Sequence, residues 1–432
     1  MTKAKREAAS GASLGVLPQA AEFKGPVLYL TTTLPALTVT FIYREIFELE
    51  ARGWKVLGCS MNTPRPDSVS REAAELLHRT LYLDQVGRWR MLGGALVALL
   101  RNPGRALRSL RDAMRPLELC GARSAAAFLF HFIEAAYLAH VYRVSALRHI
   151  HCHFGSGPAS IGMFLAGLLG IEFSFVMHGT AEFLTPIALT AKLRSCAFSV
   201  AISTYMRTHI IQEYGQEFAA KIEVVRCGIP LRQFEPRRVA AIERSGRAQC
   251  EILSVGQLQR RKGFDTLLEA CSELKRRGFK FRCRIIGDGP ERDRLNGMIS
   301  KHGLHGHIVM LGAVKQEDIV SFYRTADLFV LTCTVAATGD RDGIPVALME
   351  AMAVELPVVS TTVSGIPELI ESMAEGILVR PGDPGAVADA VVLLAEDRAL
   401  AKQIASRGRL KVCDQFDISR TVDLLEGLLL AI

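Results

Sequence analysis

ADLFVLTCTVAATGDRDGIPVALMEAMAVELPVVSTTVSGIPELI, Ala326 to Ile370, is the stretch whose reading decides the fold. Leu328 to Leu331 is an apolar run of strand length, and a polar loop, Thr332 to Arg341, leads from it into Asp342-Gly343-Ile344-Pro345 and the helical segment VALMEAMA. Proline is favoured at a first helical position, so Pro345 is predicted to open the helix with the NH groups of Gly343, Ile344 and Val346 free. Such an end binds phosphate readily. A second strand, Pro357 to Ser360, runs into a similar turn, Ser364-Gly-Ile-Pro367-Glu368. Two helix starts thus emerge from neighbouring strand ends, where the ligands of open α/β sheets collect. Glu350 falls in the second turn of a helix that is apolar around most of its circumference. It is either the one solvated position of that helix or a buried carboxylate that needs a partner. Asp342 is either a loop acid favouring the helix dipole or a ligand of the same site.

Outward from this stretch the same rhythm recurs. Strand-length runs at Val27 to Leu30, Trp54 to Leu57, Phe173 to Met177, Phe198 to Ile202, Ile222 to Val225, Ile252 to Val255 and Phe281 to Ile286 alternate with longer amphipathic segments, the signature of parallel βα units. With 432 residues, two domains are expected. The charged stretch RQFEPRRVAAIERSGRA interrupts the pattern. The predicted division is a disordered tail at 1–22, a first doubly wound domain at 23–232, a linker at 233–248, a second at 249–412, and a C-terminal helix at 413–432 returning to the first. Ten scattered cysteines without a CxxC pair read as reduced thiols of a cytoplasmic protein. No segment reads as transmembrane.

A further loop bears on chemistry. Ser254-Val-Gly256-Gln-Leu-Gln-Arg-Arg261-Lys262-Gly263 turns a strand into a helix through a glycine-bounded basic loop, from which Arg261 and Lys262 can reach a diphosphate. Gly287-Asp-Gly289 is followed by Pro290, so the GxGxxG of a nicotinamide dehydrogenase is not met. His151-Cys-His153 offers too few ligands for a zinc site, and no second cluster stands out in the sequence. Asp340-Arg-Asp342 spells a DxD, but immediately before a phosphate-ready helix start.

These stretches together resemble the nucleotide-sugar-binding half of glycosyltransferase family 4, the retaining enzymes of GT-B fold. The resemblance runs from about Val27 to Leu425 and rests on SVGQLQRRKGFDTLLEA, FRCRIIGDGPERDRL, the opening stretch above, FSFVMHGTAEF and VVRCGIP. Within the family it is similar to transferases of colanic-acid and exopolysaccharide assembly, which share the TFIYREI segment. It implies two facing Rossmann-like domains with a cleft between them. It implies that Glu350 binds the ribose, Asp342 the donor sugar, and the backbone of Gly343, Ile344, Pro345 and Val346 the diphosphate. Lys262 and a basic neighbour neutralise the leaving phosphates, Gly256 and Gly287 belong to the donor site, and His178 faces the transferred sugar. The family's usual first acid is Glu, here the shorter Asp342. A frequent Arg after the glycine is here Gln257, which leaves Arg260 or Arg261 to supply the charge. A metal-independent enzyme without cofactor is expected, using a UDP- or GDP-sugar.

The formal charge of +8 lies wholly in the first half, with 26 Lys+Arg against 18 Asp+Glu up to Glu235 and 26 against 26 beyond. Arg88, Arg90, Arg101, Arg105, Arg108, Arg111, Arg115 and Arg123 crowd one stretch, interspersed with leucines. This is either a solvated helix face or a surface for anionic membrane; aromatic interleaving for nucleic acid is missing. With the exopolysaccharide likeness it predicts peripheral attachment to the cytoplasmic membrane and a glycan acceptor carried on a polyprenyl diphosphate. The rival readings are a nucleotide-sugar epimerase of the same fold and a non-catalytic partner in a polysaccharide assembly complex.

Overall fold

The computed structural model describes residues 24–36, 39–65, 69–114, 122–184, 187–236 and 249–432. The predicted tail, 1–22, and positions 237–248 of the predicted linker lie outside the described residues. So do Arg115, and, for its side chain, Arg123.

Two parallel sheets carry the chain. The first is built from β1 (Lys24–Thr33), β2 (Trp54–Asn62), β3 (Thr80–Tyr82), β4 (His149–His153), β5 (Glu172–Met177), β6 (Phe198–Ala201) and β7 (Ile222–Val224). Its order is β3-β2-β1-β4-β5-β6-β7. The second comprises β8 (Cys250–Val255), β9 (Phe281–Ile286), β10 (Ile308–Gly312), β11 (Leu328–Val330), β12 (Val358–Thr361) and β13 (Ile377–Val379), in the order β10-β9-β8-β11-β12-β13. Each reverses direction beside its first strand, so each has the switch point of a doubly wound sheet, where a crevice opens at the strand ends.

Burial on both faces explains why the strands read as continuous apolar runs. Along β1, Leu28 and Leu30 enter a core with the helices Ala122–Tyr142 and Gly157–Leu169. Val27 and Tyr29, pointing the other way, meet the helices Thr40–Ala51 and Ile418–Leu430. The last helix therefore leaves the second unit and seals the first, through Val422, Leu425 and Leu429 and through Glu426, which accepts from Trp54 Nε1 at 2.8 Å.

Two features differ from the sequence expectation. Ser124–Tyr142 is long and apolar enough by length and composition to cross a membrane, with 44% of it buried in the molecule. Phe128, Phe132, Ala135 and Tyr137 pack it into the first core, the surroundings of a core helix. The second concerns the predicted membrane face. The helix Arg88–Arg101 buries Met91, Gly94 and Ala95 and turns Trp89, Leu92, Leu96 and Leu100 outward, Trp89 86% and Leu100 70% exposed. On the next helix, Pro103–Met114, Leu107 and Leu110 are exposed as well. The outward face is thus as apolar as it is basic. Arg105, one of the cations assigned to it, turns back and donates to the Leu169 carbonyl at 2.6 Å.

Candidate functional site

A cavity of about 820 Å³ lies between the two units, and it gathers residues from at least eight chain segments. His178, Gly256, Arg261, Lys262, Gly287, Asp342, Gly343, Ile344, Pro345, Val346 and Glu350 all line it, with Thr40, Phe41, Arg65, Ile202 and Cys227 from the first unit. Glycines make the floor. Gly256 and Gly287 directly follow β8 and β9, and Gly287 stands at φ +148° with the Gly256 carbonyl where a Cβ would be, so no side chain fits between these strand ends. Gly263, at φ +65°, closes the basic loop against the Thr332 carbonyl.

The helix after β11 runs Val346–Ala353, and Pro345 is its cap rather than its first residue. The predicted start is thus one residue early, because Pro345 takes extended ψ (124°) and turns helical only at Val346. The second predicted turn has another task. Glu368 reaches the first unit, accepting from the Thr204 and Tyr205 amides at 3.0 and 2.7 Å and pairing with Arg226 at 3.1 Å. It ties the two units together instead of lining the cavity.

The basic loop resolves the choice of cation. Arg260 points away, 57% exposed and paired with Glu291 at 2.7 Å. Arg261 points in. Its Nε meets Asp342 at 3.0 Å and its Nη1 meets Asp340 at 2.9 Å, while Lys262 Nζ meets Asp342 at 2.9 Å. Both acids of the DxD are therefore engaged by protein cations, which leaves little of their charge for an ion. Burial pushes the Asp342 carboxyl up, but Lys262 and Arg261 outweigh it and hold the group below its ordinary value. An incoming diphosphate would compete with Asp342 for the same two cations.

Glu350 is 4% exposed and has its partner. Arg44 of the TFIYREI segment, 306 residues away in the first unit, donates to Oε1 at 3.1 Å. Gln316 donates to the same oxygen at 2.8 Å and Tyr323 to Oε2 at 3.1 Å. A carboxylate offers about four acceptor positions, so three donors leave about one for a hydroxyl from the cavity. Sequence reasoning located Glu350 but missed Arg44, Gln316 and Tyr323, since nothing in their local spacing marks them.

His178 follows β5. Its Nε2 is 3.0 Å from His153 Nδ1, its ring lies 4.6 Å from that of Phe41, and burial, with His153 beside it, holds it well below the ordinary histidine value. The turn that carries it is pinned by Glu182, which accepts from the Gly155 and Gly179 amides at 2.6 and 3.1 Å. Beneath it the fully buried Lys192 spends three donors on the carbonyls of Gly155, Ser156 and Ile187. Neither residue was singled out from sequence.

A cavity at the carboxyl ends of two doubly wound sheets, with paired cations beside a helix start, has the chemistry to hold a phosphorylated ligand. Residues 241–411 match the family model Glycosyl transferases group 1. That match covers most of the second unit. The second unit holds all nine cavity positions that the sequence assigned to the donor, from Gly256 to Glu350, together with Asp342. The chain is 40% identical over 198 residues to the putative colanic acid biosynthesis glycosyltransferase WcaL of Escherichia coli, covering 46% of this chain and 48% of that relative. The chain thus spans about half the length of the curated relatives it matches. Solved structures extend the likeness to both units. Sucrose-phosphate synthase from Thermosynechococcus elongatus superposes with a TM-score of 0.72 at 17% identity over 94% of this chain and 98% of its own. Anabaena HepE in complex with UDP gives 0.69 at 16% identity over 94% and 100%. The second unit is accordingly one half of a GT-B architecture.

Proposed function

We propose that the chain is a retaining glycosyltransferase that moves a sugar from a UDP- or GDP-linked donor to a glycan in exopolysaccharide or cell-envelope polysaccharide synthesis. The observation that carries this reading is the convergence of Arg261, Lys262 and the helix start at Gly343 to Val346 on one interdomain cavity. In this reading the diphosphate lies between those cations and the helix-start amides, which stabilise charge as it develops on the leaving group. Glu350 accepts a ribose hydroxyl at its remaining acceptor position. Asp342, released from Lys262 by the incoming phosphate, turns to the sugar. His178, held neutral, faces the sugar from the opposite wall. The fixed cations take the place of a metal at the diphosphate, so donor binding is metal-independent. Closure of the two units excludes water, whose attack would waste the donor.

The acceptor is carried on a polyprenyl diphosphate at the cytoplasmic face of the membrane. Support comes from the exposed Trp89, Leu92, Leu96 and Leu100 beside Arg88, Arg90 and Arg101, an apolar and cationic face suited to a membrane interface. The deciding experiment is calorimetry of the purified chain against a panel of UDP- and GDP-sugars, followed by product analysis of the donor it binds. Transfer with retained anomeric configuration is expected. Isomerised donor, or binding without turnover, would replace this reading with an epimerase or a binding partner.

A further inference from the structure

The first unit contains a second cluster that the donor site does not use. β4 alternates: Ile150 and Cys152 enter the core under the helices Ala122–Tyr142 and Gly157–Leu169, while His149, His151 and His153 face the other way. In register with His151 stand Tyr29 on β1 and Ser174 on β5, so one row across three strands presents Tyr29, His151 and Ser174 together. The helix Thr40–Ala51 lies over this face, and its Glu45 meets the row. Tyr29 donates to Glu45 Oε1 at 2.7 Å. His151 Nε2 lies 3.8 Å and His153 Nε2 3.2 Å from that same oxygen.

We propose that Glu45, His151 and His153 bind a divalent transition-metal ion of the zinc class. Both Nε2 atoms are buried and make no hydrogen bond, although a carboxylate oxygen is within reach. The three donor atoms lie within 4.8 Å of one another. A four-coordinate zinc with bonds of about 2.0–2.2 Å wants its ligand atoms roughly 3.3–3.5 Å apart, and two imidazoles with one carboxylate are a zinc donor set. The far side of each ring is already anchored, as in metal sites whose histidines are oriented from behind. His151 Nδ1 is 2.7 Å from Ser174 Oγ, and His153 Nδ1 is 3.0 Å from His178 Nε2.

The second anchor links the ion to the cavity. With an ion on Nε2, His153 carries its proton on Nδ1 and donates to His178 Nε2. The proton of neutral His178 is then on Nδ1, the nitrogen 3.9 Å from Cys227 Sγ, and both residues line the cavity. The ion thereby selects which tautomer His178 presents there.

Zinc binding to the full chain tests this without any assay of transfer. Chain exchanged into metal-free buffer is titrated with zinc against a chromophoric chelator, and its metal content is measured by mass spectrometry. Cobalt(II) serves as the spectroscopic probe. One zinc per chain and the visible bands of a four-coordinate cobalt site are expected for the wild type. Ser174→Ala, which frees the ring of His151, should weaken zinc by about 10–100-fold, and Glu45→Gln, which keeps the side chain's size but removes a charged ligand, by at least as much. Their melting curves establish that they are folded. Zinc well below one equivalent in the wild type, or the wild-type affinity in Glu45→Gln, overturns the proposal; the former leaves a plain hydrogen-bonded cluster and the latter places the ion on other histidines.

Discussion

Glu350 and Arg44 are both nearly inaccessible, with side chains 5% and 2% exposed, and each is the other's neutralising charge. Removing one member of such a pair strands the other. Arg44→Ala should therefore lower stability by about 3–5 kcal/mol, read as a shifted denaturant midpoint. Wild-type stability would mean that Glu350 finds its compensation elsewhere. For the same reason Glu350→Ala is a poor probe of ribose binding. Glu350→Gln also leaves Arg44 without its counter-charge, but it keeps a hydrogen-bonding group in the same volume, and its melting curve is checked before its affinity is read. It keeps the shape and loses the charge, and it should weaken UDP or GDP by about tenfold to a hundredfold by calorimetry, the worth of a hydrogen bond to a charged group. Unchanged affinity would remove the ribose from Glu350. Asp342 differs because it is expected to touch sugar. Asp342→Asn should lower kcat more than nucleotide affinity, and an equal loss of both would contradict that division. Its lowered value sets the sign of the pH dependence. The pairing with Lys262 and Arg261 contributes stability above the unfolded value of 3.8 and loses it only as pH falls through the lower folded value. No inflection from Asp342 is therefore expected between about pH 5 and 8.

At the scale of elements, the turns after β4 and β5 depend on two buried side chains. Lys192 satisfies three carbonyls, and Glu182 satisfies two amides, one of them next to His178. Lys192→Met keeps the stem and removes the donors. It should cost about 2–4 kcal/mol, since buried carbonyls lose their partners and Glu182 loses its nearby cation. Thermal melting measures the cost, and a change under about 0.5 kcal/mol would mean that water replaces the ammonium. The same elements show where local reading fails. β4 is His-Ile-His-Cys-His, which has no apolar run and alternates over only five residues, yet every residue in it is buried. Its place between β1 and β5 makes it a strand, and the cover of the helix Thr40–Ala51 makes its histidines interior. β3, β10 and β13 likewise lie outside the strand runs read from sequence; β3 and β13 are three residues each and β10 ends in glycine. β11 and β12 were legible because strands buried on both faces write their burial directly into the sequence.

For the whole molecule, the units are joined by contacts spaced around the cavity: Arg44 to Glu350, Glu368 to the start of the helix Thr204–Tyr214, and Arg341 over the ring of Phe183 at 4.1 Å. The exposed face of Arg88–Arg101 is part of the first unit and leaves these contacts undisturbed. Docking there is expected to need both its cations and its apolar residues, each cation adding about 1 kcal/mol near an anionic surface. The wild type should co-sediment with phosphatidylglycerol liposomes at low salt and weaken at high salt. Arg101→Gln with Arg108→Gln should reduce the salt-sensitive share, and Trp89→Ser with Leu100→Ser the share that survives salt. Indifference to lipid charge would favour a soluble acceptor. By itself the sequence determined the parallel α/β rhythm, the two units, and the cavity residues Gly256, Lys262, Asp342 and Glu350, because strand burial and helix-start chemistry are short-range and leave a local pattern. Only the tertiary structure decided that Arg261 rather than Arg260 enters the cavity, that Arg44 neutralises Glu350, and that Glu45 joins His151 and His153. Those pairings join residues tens to hundreds of positions apart, and a buried charge is matched by whatever the packed chain brings within reach.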